Sequence, residues 1–363
     1  MYEIQLVTDC EGPLALNDNA FELCRDFLRP GGDRFFLQVS RLDDYLADLA
    51  KREGYKAGTT LKLILPFLKA YGLTDAMMAE YSEKTLRLTP GAAEAYRFLL
   101  GRQFPIFEIS TSYRQFAEAV GKRLGIGPDR IFCTELNLDR YKISKAEADK
   151  LRTIKDEIAA LPEIVITPQA QKPEDLSSET REVIERLEYL FGEVIPEMDI
   201  GRIYAEVEPV GGQEKAKALE ASLAITGKSL AEAMFVGDSI TDVEAFKTLR
   251  AGGGVTVSFN GNRYAINSAE FIVVANNAWP IALLTVIFQR WGKDGVVELS
   301  TSGQAGHEKI VALPEAVIEP IVRGLGGRNF SFYAADVAHR DQIIKESEAM
   351  RARLRGQVVA ALS

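Results

Sequence analysis

The sequence predicts an α/β protein, a three-layer fold in which a parallel sheet is covered on both faces by helices and is interrupted by two helical insertions. Short apolar runs of strand length alternate with amphipathic helical stretches along much of the chain, the order that builds a parallel sheet. Two stretches, about 18–89 and 141–199, replace that alternation with helical periods alone. Several of the apolar runs end in acidic or hydroxyl residues, the place where an open parallel sheet puts its functional groups.

The first element, IQLVTD, is an apolar run ending in Asp9 and followed by the loop residues Glu11, Gly12 and Pro13. From about 19–88 the periods are helical: AFELCRDFL, then SRLDDYLADLAKRE with Ser40 as its N-cap, TTLKLILPFLKAYG and TDAMMAEYSEKTL. Thr89, Pro90 and Gly91 open the helix AAEAYRFLLG, which leads to a second strand, PIFEIS, ending in Ser110, Thr111 and Ser112. A helix over 113–124 precedes the strand RIFCTEL, and two charged helices occupy about 144–161 and 177–192. Alternation then resumes with strand RIYAEV, helix EKAKALEASLAI, strand AMFVGD, helix DVEAFKTL and strands GVTVSF and EFIVVAN. Residues 1–17, 90–140 and 200–290 are read as one α/β core, 18–89 as a helical unit, 141–199 as a second helical insertion and 291–363 as a C-terminal extension without a motif.

Composition narrows the function classes. At 363 residues the chain is long enough for a sizeable core plus an inserted domain. Its net charge of -9 argues against the basic footprint of non-specific nucleic-acid binding. Cys10, Cys24 and Cys133 are too scattered for a disulfide framework or a cysteine zinc site, which fits a reducing, cytoplasmic compartment. The apolar segment 271–288 is broken by Asn276, Asn277 and Pro280, so no membrane insertion is expected.

Four sites fall at the expected strand ends or helix starts: Asp9 with Glu11, Ser110, Lys215, and Asp238 with Asp242 in VGDSITD. Taken in this order they resemble the four motifs of the haloacid dehalogenase (HAD) superfamily. The resemblance implies a Rossmann-like core and a magnesium-dependent hydrolase acting on a small phosphorylated substrate. It makes Asp9 the nucleophile that forms an aspartyl-phosphate, Ser110 the hydroxyl that binds a phosphoryl oxygen, and Lys215 the cation that balances the transferred charge. Asp9, the backbone carbonyl of Glu11, Asp238 and Asp242 are implied to hold the Mg2+, whose preference is for hard oxygens. Thr111, Ser112 and Lys217 stand close enough to compete for two of these roles. The residue two after the nucleophile is an aspartate in most phosphatases of the superfamily and serves as acid and base; Glu11 holds that place here, and Pro13 stands where Thr or Val is usual.

The helical unit over 18–89 is similar to a type 1 cap, and TPGAAEAYRFL to phosphoserine phosphatase-like members. The DCEGP and NDNAFE segments together resemble a poorly characterised archaeal and bacterial branch of the superfamily. The second insertion is read as completing the lid or forming a homodimer contact. The other reading of the whole is a non-catalytic or weakly active accessory protein that keeps the metal site, for which Glu11, Pro13 and the motif-free extension speak. Cys10 is a poor nucleophile, because neighbouring carboxylates raise a thiol pKa. His307 and His339 are expected at the surface.

Overall fold

The computed structural model describes residues 3–167, 170–300, 310, 312–327, 330–335 and 339–362. His307 lies outside them, and His339 is exposed. Among the described residues seven strands form one sheet: β1 (Gln5–Thr8), β2 (Ile106–Tyr113), β3 (Ile131–Thr134), β4 (Ala233–Gly237), β5 (Val255–Phe259), β6 (Phe271–Val274) and β7 (Ser331–Ala334). Their order is β3-β2-β1-β4-β5-β6-β7, parallel throughout except for β7, which runs antiparallel to β6.

β1 is central and fully buried, and its side chains alternate between the two faces as the pleat requires. Leu6 packs with Tyr96, Leu99 and Ile281 on one side, while Val7 packs with Leu219 and Phe246 on the other. On that second face Phe235 and Phe246 meet edge to face, with centroids 5.4 Å apart. Truncating a buried phenylalanine of this kind costs about 3–5 kcal/mol. From β1 the sheet grows through β2 and β3 in one direction and through β4, β5 and β6 in the other, so the strand order reverses between β1 and β4. Loops leaving the carboxyl ends of those strands diverge and open a crevice there. Asp9 and Asp238 follow these two strands directly.

One strand read from the sequence is absent. RIYAEV forms the end of a 3-10 turn, Asp199–Arg202, and the short helix Ile203–Glu206. Ile200, Ile203 and Val207 recur at helical spacing, and all three bury into the helical body rather than beside a strand. Tertiary packing has overridden a β-prone composition. The seventh place in the sheet is taken by β7, in the extension where no motif was legible.

The first insertion contains helices Asn19–Phe27, Gly32–Asp44, Thr60–Leu63, Leu65–Ala70 and Asp75–Thr85. Ser40 is not an N-cap: it is buried inside Gly32–Asp44, because the apolar positions Phe35, Phe36, Val39 and Leu42 begin their helical period before it. In the second insertion Ser144 caps Lys145–Ala160 through a capping box with Glu147, and Ser177 caps Ser178–Tyr189. Leu151, Ile154 and Ile158 of the former share a core with Phe35, Leu65 and Leu68, so the two insertions make one helical body over the crevice.

The C-terminal segment continues from helix Trp279–Ser300, kinked at Gly292, through helix Glu315–Leu325 and β7 to helices Arg340–Arg355 and Gln357–Ala360. Ile343 packs beneath β6, whereas Val359 and Leu362 join the core of the helical body. The chain's end thus bridges the sheet and its helical roof. Among the described residues no helix is long and apolar enough to cross a membrane.

Candidate active site

The floor of the crevice is a chain of buried charges. Lys215, in the first turn of helix Gln213–Thr226, places its Nζ 2.8 Å from Asp9 Oδ2 and 2.7 Å from Asp242 Oδ1. All three groups are almost completely buried. Asp242 is folded back over the end of β4, where its Oδ2 accepts the amides of Asp238 at 2.8 Å and Ser239 at 3.0 Å. Gly237 permits that fold, since a Cβ there would lie 2.5 Å from the Asp242 carboxyl carbon. Gly12 serves similarly across the crevice: its φ of +103° and a Cβ that would fall 2.1 Å from Asp238 Oδ2 both require glycine. The spacing in VGDSITD therefore has a mechanical origin, one carboxylate reaching the cleft and the other fixing Lys215 and the turn.

Lys217, the alternative to Lys215, points outward with 70% of its side chain exposed and pairs with Glu214 at 3.2 Å. β2 does not end at Ser110 but runs on to Tyr113, with an irregular register against β3 between Ile109 and Tyr113. Ser110, Thr111 and Ser112 all line the cleft. Ser110 Oγ accepts the Ser112 amide at 3.1 Å, so its own hydroxyl proton remains available. Ser112 donates its hydroxyl to Glu11 Oε1 at 2.6 Å, and the Asn19 amide donates to the same oxygen at 2.9 Å. Both bonds fall on one oxygen of Glu11.

Burial sets the electrostatics. It pushes the Asp9 carboxyl up to about 7, against the attraction of Lys215 and with the help of Asp242 and Asp238. Lys215 is held charged despite its burial, because Asp242 and Asp9 both pair with it. Glu11 is pushed up to about 8 by burial and by Asp18, with Arg355, the Asn19 amide and Ser112 pulling the other way. Burial and the nearby Glu108, Glu11 and Asp9 carboxyls drive the Cys10 thiol far upward, which leaves it inert as a nucleophile.

Asp9, Asp238 and Asp242 each offer a carboxylate oxygen, and the three oxygens lie within 4.8 Å of one another. These hard donors suit magnesium. Charge agrees: among the described residues, the carboxyls of Asp9, Glu11, Asp18, Asp238 and Asp242 cluster around the three cations Lys215, Arg351 and Arg355. Asp242 is largely committed to Lys215 and two amides, so Asp9 and Asp238 are the better-placed side-chain donors.

Arg351 and Arg355 were not legible as site residues. Arg351 Nη1 binds Asp238 Oδ2 directly, and Arg355 Nη1 approaches the same oxygen at 3.4 Å. Arg355 also donates to the carbonyls of Leu16 at 3.2 Å and Asn17 at 2.7 Å, bracing the loop beyond Asp9. A signal did exist: Ile343, Ser347, Arg351 and Arg355 recur every four residues, so two arginines lie on the buried stripe of an otherwise polar helix. Asp18, which caps Asn19–Phe27, and Asp43 and Asp44 from the roof complete the acidic lining.

No protein-family model and no curated protein matches the chain. Among solved structures it is similar to the gene product AF1437 from Archaeoglobus fulgidus, with 28% identity over 99% of both chains and a TM-score of 0.80. That likeness spans the core, both insertions and the C-terminal segment. Looser likenesses are to a phospho-aspartyl intermediate analogue of phosphoserine phosphatase (16% identity, 75% of this chain and 93% of that one, TM-score 0.44) and to a substrate-bound phosphoserine phosphatase (14%, 77% and 97%, TM-score 0.47). With TM-scores below 0.5, these two carry no weight for activity.

Proposed function

We propose that this chain is a HAD-type phosphohydrolase that cleaves a small phosphomonoester through a phosphoryl group carried on Asp9. The observation that supports this most strongly is the buried Asp9–Lys215–Asp242 bridge at the strand-order reversal, with Asp238 and Ser110 beside it. A divalent cation held by Asp9, Asp238 and the backbone carbonyl of Glu11 would keep Asp9 ionised and screen it from the phosphoryl oxygens it must approach.

Asp9 attacks phosphorus, so a carboxylate-oxygen-to-phosphorus bond forms as the bond to the leaving oxygen breaks. Lys215 offsets the negative charge that the Asp9 carboxylate and the incoming phosphoryl group bring together. Ser110 donates its free hydroxyl proton to a phosphoryl oxygen. Glu11, protonated at neutral pH, gives its proton to the leaving oxygen from whichever carboxyl oxygen is not held by Ser112 and Asn19. The resulting carboxylate then takes a proton from the water that attacks the aspartyl-phosphate, releasing inorganic phosphate and restoring Asp9. The longer reach of glutamate relative to aspartate is accommodated by Ser112 and the Asn19 amide, which fix where its carboxyl sits.

The test is phosphate release from a panel of small phosphomonoesters, with Mg2+ and with chelator, comparing the native protein with Asp9→Asn. Magnesium-dependent release that vanishes in the variant supports the reading, and equal release in both overturns Asp9 as nucleophile. A second reading, a binding protein without turnover, draws on the capture of Asp238 by Arg351. Absence of release from every ester would favour it.

A further inference from the structure

The proposed phosphohydrolase accounts for the floor of the crevice but gives no role to the helix whose arginines enter it. Asp238 is 2% exposed, and its Oδ2 faces two guanidinium groups that are themselves 3% and 7% exposed. Arg351 also donates from Nη1 to the Asp238 carbonyl at 3.3 Å. It also holds the end of the chain: Nε reaches the Ala360 carbonyl at 3.2 Å and Nη2 the Leu362 carbonyl at 3.4 Å. Leu362 in turn lines the cleft and packs into the core of the roof. One guanidinium thus ties the C-terminal tail to a carboxylate on the catalytic floor. Arg355 differs, because it is anchored as well to Leu16 and Asn17 on the loop beyond Asp9.

We propose that Arg351 occupies the charge position of a divalent cation at Asp238, so that cation binding and docking of the C-terminal segment oppose each other. The inference rests on the cation-dependent reading above. A carboxylate already paired with a buried guanidinium has had its demand for positive charge met, and a second cation at the same group meets like-charge repulsion at low dielectric. Such opposition is reciprocal: whatever Arg351 takes from cation affinity, the cation takes from tail docking. Because Arg351 also holds the carbonyls of Ala360 and Leu362, its release from Asp238 loosens the segment that carries Leu362 and uncovers the cleft.

The experiment titrates the full-length, chelator-treated protein with Mn2+, which shares magnesium's preference for oxygen, and follows free Mn2+ by its paramagnetic resonance signal. Arg351→Met is expected to bind Mn2+ at least about ten-fold more tightly than the native protein, within the usual range of coupling between sites. Arg353→Met, an exposed change on the same helix, is expected to leave the affinity unaltered. Equal or weaker Mn2+ binding by Arg351→Met overturns the proposal. Should that variant fail to fold, hydrogen exchange of the native protein decides: amides in 347–362 are expected to exchange faster with Mn2+ than without. Unchanged or slower exchange there refutes the opposition. Neither readout involves turnover, so failure of the phosphatase reading appears separately, as absent phosphate release.

Discussion

The floor and the roof of the crevice are both acidic, yet they manage charge differently. On the floor, Asp9, Asp238 and Asp242 each have a buried cation against them, from Lys215 or the C-terminal arginines. On the roof, Asp43 accepts the Gly58 amide at 2.9 Å through its Oδ2, with Tyr55 and Thr60 as further hydrogen-bonding neighbours, and Asp44 meets Arg41 at 3.6 Å with both side chains partly exposed. Burial therefore pushes Asp43 up to about 6 and Asp44 up to about 7, the latter also raised by Asp43. The floor sets buried cations against its carboxylates, whereas the roof leaves Asp43 and Asp44 without one. The roof can change its charge near neutral pH, when a ligand or a proton arrives.

The largest expected effect comes from breaking the floor. Lys215→Met leaves Asp9 and Asp242 buried without their shared cation, a loss of about 3–5 kcal/mol for a broken buried pair. Denaturant unfolding should show it, together with loss of phosphate release. If the variant matches the native stability, the floor is not held by charge pairing.

Glu11 sits at the seam between the two regions and comes next. Glu11→Gln should lower phosphate release by roughly 10²–10⁴-fold, the usual contribution of a positioned acid–base group. In the native protein the first step needs the protonated form, so release should fall as pH rises through about 8. A pH–rate profile that keeps this limb in the glutamine variant would assign it to another group.

The roof offers a smaller and opposite effect. The folded pKa of Asp43 is raised from 3.8 to about 6, so the protein carries a cost that is absent at low pH and fully present once the pH exceeds the folded value. Asp43→Asn should remove it, stabilising the protein at pH 8 by up to about 3 kcal/mol relative to its effect at pH 4, at 1.36 kcal/mol per unit. Thermal unfolding at the two pH values would read the difference. An identical effect at both would place Asp43 with the compensated carboxylates of the floor. Smallest of all, Lys217→Ala should change stability by less than about 0.5 kcal/mol, as surface substitutions do, and leave phosphate release intact. A large loss of release would reverse the assignment between the two lysines.

What the sequence determined by itself was local: most of the strand runs, and that a carboxylate, a hydroxyl, a lysine and an acidic pair recur in one order. An apolar run is readable because burial on both faces of a parallel sheet demands it, but polar residues need not end it: β2 runs through Ser110, Thr111 and Ser112 to Tyr113. What only the tertiary structure decided was long-range. Nothing in RIYAEV says that Ile203 and Val207 will find a helical core instead of a neighbouring strand. Nothing before Ser40 announces that its helix starts at Gly32 except a period that a cap-like serine obscures. Arg351 and Arg355 lie more than a hundred residues from Asp238, and their arrival on its carboxylate depends on how β7 and the last helices pack on the far edge of the sheet. A local pattern is fixed by the backbone's own geometry, whereas a buried ion pair exists only once the whole chain has excluded the water around it.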